Sequence, residues 1–306
     1  MDLVLYSHPD MTLHRPRPSH PERPERLKAV LDALADASDL KLDRRDAPMA
    51  SAADLALVHD PAFIQSLERL TPATGVAYAD PDTQVSPGSL TAALRAAGGA
   101  AHAARAAARG EIGRAFCAVR PPGHHAGPAN AMGFCLFSNV AIAARAARSE
   151  GLPRVAIADF DVHHGNGTQA VFEADPTVFF ASVHQSPAYP GTGAPTETGV
   201  GNVANATVPP GAARETWRKA FAGLVERIDA FAPDLILVSA GFDAHARDPI
   251  AEQSLEAEDF AWATRALVEV ANHRCGGRIV STLEGGYDLE ALGRSAAAHA
   301  RALAEA

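Results

Sequence analysis

Short apolar runs alternate with longer helical patterns along almost the whole chain, and this alternation limits its fold most strongly. Runs rich in β-branched or aromatic residues predict strands at residues 3–6, 115–119, 155–159, 178–183, 206–208, 235–239 and 278–283. Helical patterns fall at residues 23–37, 60–70, 89–109, 138–149, 166–174, 213–231, 256–273 and 288–304. Strands that alternate with helices form βαβ units, in which helices cover both faces of a parallel sheet. We therefore predict an α/β fold, a three-layer αβα arrangement around a mostly parallel, open sheet.

Length and composition set bounds on the organisation of the chain. With 306 residues, of which 47% are hydrophobic and 21% charged, the chain can build a large core. No long Gly/Ser-rich linker interrupts it, so we expect a single catalytic domain over residues 1–306. Cys117, Cys135 and Cys275 are far apart and form no CxxC pair, which favours buried thiols over a disulfide framework or a zinc ribbon.

Net charge and hydropathy argue against two classes of partner. The formal net charge of -9 disfavours a nucleic-acid partner, because contacts with phosphates need a basic surface, and it is compatible with a cationic substrate. No segment approaches the roughly 18 apolar residues of a membrane span. Residues 1–8 also lack the basic start of a signal peptide. We therefore expect no membrane partner and a cytoplasmic location.

Residues that can do chemistry follow four of the predicted strands. Carboxylate, imidazole and phenol side chains stand shortly after these strands, at Asp161, His163, Asp243, His124, His125 and Tyr287. In open parallel sheets, ligands bind at the carboxyl ends of the strands, where the loops gather. We therefore expect these side chains to converge at one edge of the sheet.

Asp161, His163 and Asp243 form a candidate metal site. The first two are two residues apart in an extended segment, so both side chains leave the same face. Zinc accepts carboxylate oxygen and imidazole nitrogen at about 2.0–2.2 Å, and three protein ligands leave a fourth position for a water and a substrate carbonyl. Such an open position is typical of catalytic zinc. The alternative for Asp161 and His163 alone is a local turn with a satisfied histidine.

His124 and His125 lie in a Pro/Gly-rich loop and are candidates for proton transfer. Neighbouring histidines point in different directions, which makes them poor joint metal ligands but suits two separate proton-handling groups. Each needs a partner that fixes its tautomer, and Asp159 and Asn166 stand near the metal loop for that purpose. The alternative for an isolated His-His pair is simple exposure at the surface.

Tyr287 follows two glycines in Leu283-Glu-Gly-Gly-Tyr287. Glycines allow a tight turn and a close approach to a ligand, and a phenol can donate to a developing oxyanion. A turn with a packed ring is the alternative. The glycines around Asn166 match neither the Walker A spacing nor the dinucleotide fingerprint, so a nucleotide site is disfavoured.

Taken together, these segments resemble the histone deacetylase superfamily, within the arginase/deacetylase fold. The resemblance runs from about His20 to Ser295 and looks closest to the class II branch and its bacterial relatives. Six segments in family order carry it: Ser19-His-Pro-Glu-Arg-Pro-Glu-Arg26, Arg120-Pro-Pro-Gly-His-His-Ala126, Gly133-Phe-Cys-Leu-Phe-Ser-Asn139, Asp159-Phe-Asp-Val-His-His-Gly-Asn-Gly-Thr-Gln169, Ser239-Ala-Gly-Phe-Asp-Ala-His245 and Leu283-Glu-Gly-Gly-Tyr287.

The resemblance implies a role for each catalytic residue. Asp161, His163 and Asp243 correspond to the zinc ligands of the family. It further implies that His125 is the general base and acid with Asn166 behind it, that Asp159 orients His124, and that Tyr287 polarises the substrate carbonyl.

The resemblance also implies substrate and ion contacts. Phe134 corresponds to one wall of an acyl-lysine tunnel, Gly133 to a backbone acceptor for the substrate amide, and Arg26 to a residue of the product-exit cavity. A structural potassium ion would lie near five residues: Asp159, Asp161, His163, Ser182 and Val183.

Four positions and one missing insertion distinguish this sequence from other members of the family or of the fold. Tyr189 replaces the usual Phe of the opposite tunnel wall and makes it more polar. Ile250 stands where polyamine-selective members carry Glu, and a long insertion of those members is missing, so we expect the tunnel mouth to lack the carboxylate that a distal polyamine ammonium would seek. Gly165 and His245 supply no second-metal carboxylate of the kind that arginases use, so one zinc is favoured over two manganese ions.

The sequence therefore predicts a zinc-dependent amidohydrolase that removes acetyl or other acyl groups from lysine side chains or related amines. Its partner would be an acyl-lysine peptide or protein, or an acetylated small amine, and a homo-oligomer is compatible with the chain. One alternative is an acetylpolyamine or other small-amide deacetylase. Another is a catalytically inactive acyl-lysine reader, which we would expect to lack Tyr287 or a zinc ligand.

Overall fold

The computed structural model describes residues 3–305, which contain strands, α-helices and a 3₁₀ turn at Pro9–Leu13. The strands are β1 (Leu3–Ser7), β2 (Leu42–Asp46), β3 (Ala77–Asp80), β4 (Thr83–Val85), β5 (Arg114–Cys117), β6 (Val155–Asp159), β7 (Val178–Gln185), β8 (Val203–Val208), β9 (Leu235–Ala240) and β10 (Ile279–Leu283). The helices are α1 (Pro24–Asp36), α2 (Ala52–Leu55), α3 (Pro61–Leu70), α4 (Ser89–Ala108), α5 (Asn139–Ser149), α6 (Asn166–Phe172), α7 (Arg214–Phe231), α8 (Ala257–Arg274) and α9 (Leu289–Ala304).

Eight of these strands form one parallel sheet in the order β2-β1-β5-β10-β9-β6-β7-β8. Helices α4 and α5 pack on each other and on the central strands, while α1, α9, α8 and α7 form a second packed row. A parallel sheet must be covered on both faces, because its βαβ crossovers place helices there. The predicted three-layer α/β fold is confirmed.

The central strands are apolar along their whole length, as burial on both faces requires. Every residue of β6 and β9 is buried. The predicted bounds of β6 agree with those of the structure, and α4 lies within the helix predicted at residues 89–109. Within residues 3–305, every helix is either too short or too polar to cross a membrane.

Strand β2 and the hairpin of β3 and β4 were not predicted. Leu42–Asp46 reads Leu-Asp-Arg-Arg-Asp, without the apolar alternation of a half-buried strand, and four of its five residues are exposed. It pairs only with β1, and charged, solvent-facing sequences are common in such edge strands. The antiparallel hairpin lies outside the main sheet.

The four strands whose loops carry chemical side chains are neighbours in the middle of the sheet. Their order is β5-β10-β9-β6. Because these strands are parallel, the loops that follow them leave the same edge. The sheet therefore brings the histidine pair, Tyr287, Asp243 and the Asp161–His163 segment to one place.

Candidate active site

Asp161, His163 and Asp243 converge, as the sequence predicts. One ligand atom from each lies within 4.8 Å of the others. Nδ1 of His163 is 3.1 Å from Asp161 Oδ1 and 3.2 Å from Asp243 Oδ2. Both carboxylates are almost completely buried, whereas His163 is 9% exposed and lines a cavity.

Two observations show that this trio fits a bound cation. Oδ2 of Asp243 is buried and accepts no hydrogen bond from residues 3–305, although Nδ1 of His163 lies 3.2 Å away. Gly285 keeps a space open beside it, since a Cβ atom there would come within 2.1 Å of Asp243 Oδ2 and 2.6 Å of Asp161 Oδ2. Buried carboxylate oxygens with one imidazole are ligands that zinc accepts.

The electrostatics of the trio point the same way. Burial and the neighbouring charge of Asp161 raise the pKa of Asp243 above its usual value. Burial lowers the pKa of His163, but the neighbouring carboxylates of Asp161 and Asp243 outweigh it and raise that pKa to about 10. These carboxylates therefore attract positive charge into a site where burial makes an unpaired negative charge costly.

The histidine pair lies beside the trio, and each ring has its own partner. Nδ1 of His124 is 3.0 Å from Asp159 Oδ2, and Nδ1 of His125 is 2.7 Å from Asn166 Oδ1. The amide nitrogen of Asn166 donates to the sulfur of Met132 at 3.3 Å, which turns its oxygen toward His125. His125 therefore donates through Nδ1 and keeps Nε2 free to accept a proton.

The two histidines have opposite electrostatic settings. Burial disfavours a charged His124, but Asp161 and Asp159 outweigh it and raise its pKa to about 10. Burial, together with the positive charges of His124 and His163, holds the pKa of His125 well below its usual value. His124 thus favours its protonated form, and His125 favours its neutral form.

Tyr287 is 8% exposed and lines the same cavity as His125 and His163. Its backbone N–H donates to Asp248 Oδ2 at 2.7 Å, and the guanidinium of Arg26 lies 4.8 Å from its ring centroid. Burial raises the pKa of Tyr287 well above its usual value, so the phenol stays a donor. Asp248 was missed by sequence reasoning, although it follows Asp243 in the same loop.

A cavity of about 150 Å³ leads to these groups. Its lining is largely aromatic and consists of Asp82, His125, Gly133, Phe134, His163, Tyr189, Ile250 and Tyr287. Phe134 and Tyr189, which the resemblance predicts as tunnel walls, both line this cavity. Tyr189 stands edge-on to the His125 ring at 5.1 Å, and Phe134 edge-on to the Tyr287 ring at 5.9 Å.

The backbone at Gly133 and Phe134 has an unusual conformation where it passes His125. Both residues have positive φ, +56° and +67°, and the latter is strained for a residue with a side chain. A Cβ atom at Gly133 would lie 2.3 Å from Cδ2 of His125. Glycine is therefore required for the loop to pass this close to the histidine.

Asp82 is a residue of the cavity lining that sequence reasoning missed. Position 250 carries no carboxylate, but Asp82 contributes one to the lining of the same cavity. Its Oδ1 accepts hydrogen bonds from Gly133 N at 3.0 Å and from the Thr83 hydroxyl at 2.7 Å. Asp82 lies between β3 and β4, and nothing in its local sequence indicates that it reaches Gly133.

Several predicted residues lie near the cavity but do not line it. Arg26 is fully buried, and its guanidinium donates to the carbonyls of Gly286 and Glu284 at 2.6 and 2.5 Å. Ser182 is the register partner of Asp159 across β6 and β7, and its hydroxyl is 3.0 Å from His184 Nδ1. Val183 follows on β7 and is buried.

With this geometry in view, comparison with known proteins gives the family. The model of the histone deacetylase domain matches residues 20–303. The chain belongs to the histone deacetylase family. It is 39% identical over 291 residues to a protein of Archaeoglobus fulgidus named probable deacetylase. These residues cover 92% of this chain and 80% of that protein.

Two further relatives agree with this assignment. The histone deacetylase-like amidohydrolase of Pseudomonas aeruginosa is 39% identical over 274 residues, which cover 87% of this chain and 71% of that protein. The crystal structure of the HDA15 HD domain superposes with a TM-score of 0.91 at 35% identity, covering 98% of this chain and 90% of that one. The deacetylase resemblance of the sequence and its fold are both confirmed, and the chain is a deacetylase-family hydrolase.

Proposed function

We propose that the protein is a zinc-dependent deacylase of the class II-like branch, which hydrolyses the amide of acyl-lysine side chains. The observation that carries this proposal is the lining of one cavity by His125, His163 and Tyr287. A proton acceptor, a metal ligand and a phenol donor thus face the same small volume. This is the set of groups that amide hydrolysis by an activated water needs.

Asp161, His163 and Asp243 would hold the zinc ion. When bound, the ion would act as a Lewis acid on the amide carbonyl and make a water more acidic. The low pKa of His125 leaves its ring neutral, so that Nε2 can take a proton from the attacking water. Asn166 holds Nδ1 of the same ring and fixes its orientation.

Tyr287 and His124 would complete the reaction. The protonated phenol of Tyr287 can donate to the carbonyl oxygen as negative charge develops there. His125, once protonated, can return its proton to the leaving lysine nitrogen. His124, held by Asp159 and carrying charge of its own, keeps the site positive on the side of the histidine pair.

We also propose the substrate side of the reaction. The side-chain stem of lysine is apolar and would pack between Phe134 and Tyr189. A bare polyamine ammonium would gain little from Ile250. Asp82 is the observation that favours the alternative, an acetylpolyamine deacetylase, because it adds one carboxylate to the lining. We also propose that a structural potassium ion binds near Asp159 and Ser182.

A substrate panel tests this proposal. Zinc-loaded wild-type protein would be assayed with an acetyl-lysine peptide, longer acyl-lysine peptides, acetylspermidine and acetylputrescine. We expect the highest kcat/KM for an acyl-lysine peptide. Higher values for the acetylpolyamines would replace this substrate with the alternative. Tight binding of acyl-lysine peptides without any turnover would instead indicate an inactive reader.

A further inference from the structure

Glu284 is a completely buried carboxylate at the carboxyl end of β10, next to the candidate active site. Its Oε2 accepts hydrogen bonds from the backbone N–H groups of Gly123 and His124, at 2.6 and 3.2 Å. Its Oε1 accepts from the hydroxyl of Ser239 at 3.1 Å. The side chain of Glu284 therefore joins the loop of the histidine pair to the ends of β9 and β10.

The backbone of Glu284 is held as firmly as its side chain. Its N–H donates to Ala240 O at 2.9 Å, and its carbonyl accepts from Arg26 Nη2 at 2.5 Å. The next residue, Gly285, donates its N–H to the Asp161 carboxylate at 2.8 Å. Glu284 is thus a fixed point between the metal-ligand trio and the loop that carries His124 and His125.

The chemistry of these contacts explains why an acceptor oxygen stands here. The N–H groups of Gly123 and His124 are buried, and a buried N–H without an acceptor destabilises the folded chain. One side-chain oxygen has two lone pairs and can accept both of these donors. Burial raises the pKa of Glu284 to about 7, which shows that this placement opposes the ordinary preference of a carboxylate for water.

The partners of Glu284 also distinguish it from a purely structural buried acid. Glu22, which is equally buried, is matched by the guanidinium groups of Arg26 and Arg120. The side-chain partners of Glu284 are backbone amides and hydroxyl groups. Two of these donors are the amides of His124 and of the residue directly before it.

We propose that Glu284 is a positioning residue for the proposed deacylase reaction: by accepting the amides of Gly123 and His124, it holds the loop that carries His124 and His125 at a fixed distance from the metal ligands. This inference rests on the proposed function for its catalytic consequence. The acceptor oxygen, rather than the charge, does the positioning. A small displacement of this loop would move Nε2 of His125 away from the attacking water, and misplacement of a catalytic group by about 1 Å can lower a rate by about 10²-fold.

Three substitutions at Glu284 separate the acceptor from the charge. Glu284→Gln keeps an oxygen within reach of both amides and removes the charge, while its amide nitrogen can donate to the Ser239 oxygen. Glu284→Asp keeps the charge but withdraws the oxygens by one methylene. Glu284→Met keeps the approximate size and removes both. Ser239→Ala is the matched control, because it removes only the contact on the other carboxylate oxygen.

We expect kcat per zinc-loaded enzyme to fall by about 10–100-fold in Glu284→Met and Glu284→Asp, the range typical for groups that orient catalytic side chains. KM should change little, and Glu284→Gln and Ser239→Ala should stay close to wild type. Hydrogen exchange at the amides of Gly123 and His124 should accelerate in Glu284→Asp but not in Ser239→Ala. If Glu284→Met fails to fold, the kcat of Glu284→Asp compared with that of Glu284→Gln still tests whether the acceptor oxygen positions the loop.

Two results would overturn the inference. One is a kcat in Glu284→Asp equal to that of wild type, with unchanged exchange at both amides. The other is a larger loss in Glu284→Gln than in Glu284→Asp, which would assign the effect to charge. A wild-type protein without deacylase activity would contradict the proposed function instead, and the exchange measurement would still test whether Glu284 holds the loop.

Discussion

Two groups of buried carboxylates in this protein differ in how their charge is balanced. Glu22 is completely buried, and its two oxygens accept from Arg120 at 2.6 and 2.7 Å, with Arg26 and His14 also in contact. In the metal-ligand trio, Asp161 and Asp243 are as deeply buried, but their basic partners are imidazoles: both lie near His163, and Oδ1 of Asp161 is also 3.7 Å from Nε2 of His124.

The pKa values of the acids follow this difference. Burial alone would raise the pKa of Glu22, but Arg120 and His14 hold it well below its usual value. Within the trio, burial would also raise the pKa of Asp161, but the charges of His124 and His163 lower it, whereas burial and the charge of Asp161 raise the pKa of Asp243. A buried charge that the protein neutralises itself stabilises one structure, whereas a buried carboxylate left short of positive charge, as Asp243 is, suits a bound cation. Four substitutions test this contrast.

The largest effect is expected from Asp243→Asn. The amide keeps an oxygen that can accept from Val162 N but is a poor zinc ligand. Since a bound zinc ion supplies several kcal/mol of transition-state stabilisation, turnover should fall by about 10³-fold or more. The melting temperature of the metal-free protein should not fall, because one of two crowded carboxylates is removed. Zinc content, turnover and melting curves check this. A strongly destabilised metal-free variant would contradict the contrast between Glu22 and the metal-ligand trio.

Arg120→Met should show the opposite pattern. Removal of this guanidinium leaves Glu22 buried without its main partner, and such a change lowers the free energy of unfolding by about 3–5 kcal/mol. Zinc binding per folded molecule should be unchanged. Denaturant unfolding measures the effect, with Arg301→Met as control, because Arg301 pairs with the exposed Asp39 and should matter little. Equal stability of the two variants would refute the assignment of Glu22 as a neutralised structural acid.

Tyr287→Phe tests a residue that lies between Glu22 and the candidate active site. Arg26 contacts both Glu22 and the Tyr287 ring. Loss of the phenol oxygen should lower turnover by about 10²–10³-fold, the range typical for one oxyanion donor. Zinc content and stability should remain as in wild type. Kinetics with an acetyl-lysine peptide measure the effect. A turnover number near that of wild type would remove Tyr287 from the mechanism.

Ile250→Glu adds a carboxylate that is neither neutralised nor buried. Ile250 is 38% exposed at the mouth of the cavity, so a charge there would be screened by water. The ratio of kcat/KM for acetylspermidine to that for an acetyl-lysine peptide should rise by up to about tenfold, or roughly 1.4 kcal/mol. Ile250→Gln is the uncharged control. A similar shift in both variants would show that charge is not its cause.

Sequence alone predicts much of this structure where a local pattern carries the signal. The bounds of β6 agree with the predicted ones, and α5 begins one residue later than predicted, because apolar runs and helical periodicity are set by neighbouring residues. Asp161, His163, Asp243 and Tyr287 stand out because each directly follows a recognisable strand. The sheet order then makes these loops neighbours.

The remaining features depend on contacts between distant parts of the chain. Glu284 meets Gly123 across 161 positions, and Asp82 meets Gly133 across 51, so no local pattern announces either contact. Strand β2 escapes prediction for a different reason. Its charged residues reflect an exposed edge, and only pairing with β1 makes it a strand.

Metal analysis of the purified protein, combined with reconstitution, tests the central claim most directly. The metal would be removed with a chelator, and zinc would be added back while bound metal per chain and hydrolysis of an acetyl-lysine peptide are followed. We expect activity to be lost on removal and to return in proportion to zinc, reaching its maximum at one ion per chain. Two manganese ions per chain, or full activity without any metal, would contradict the account.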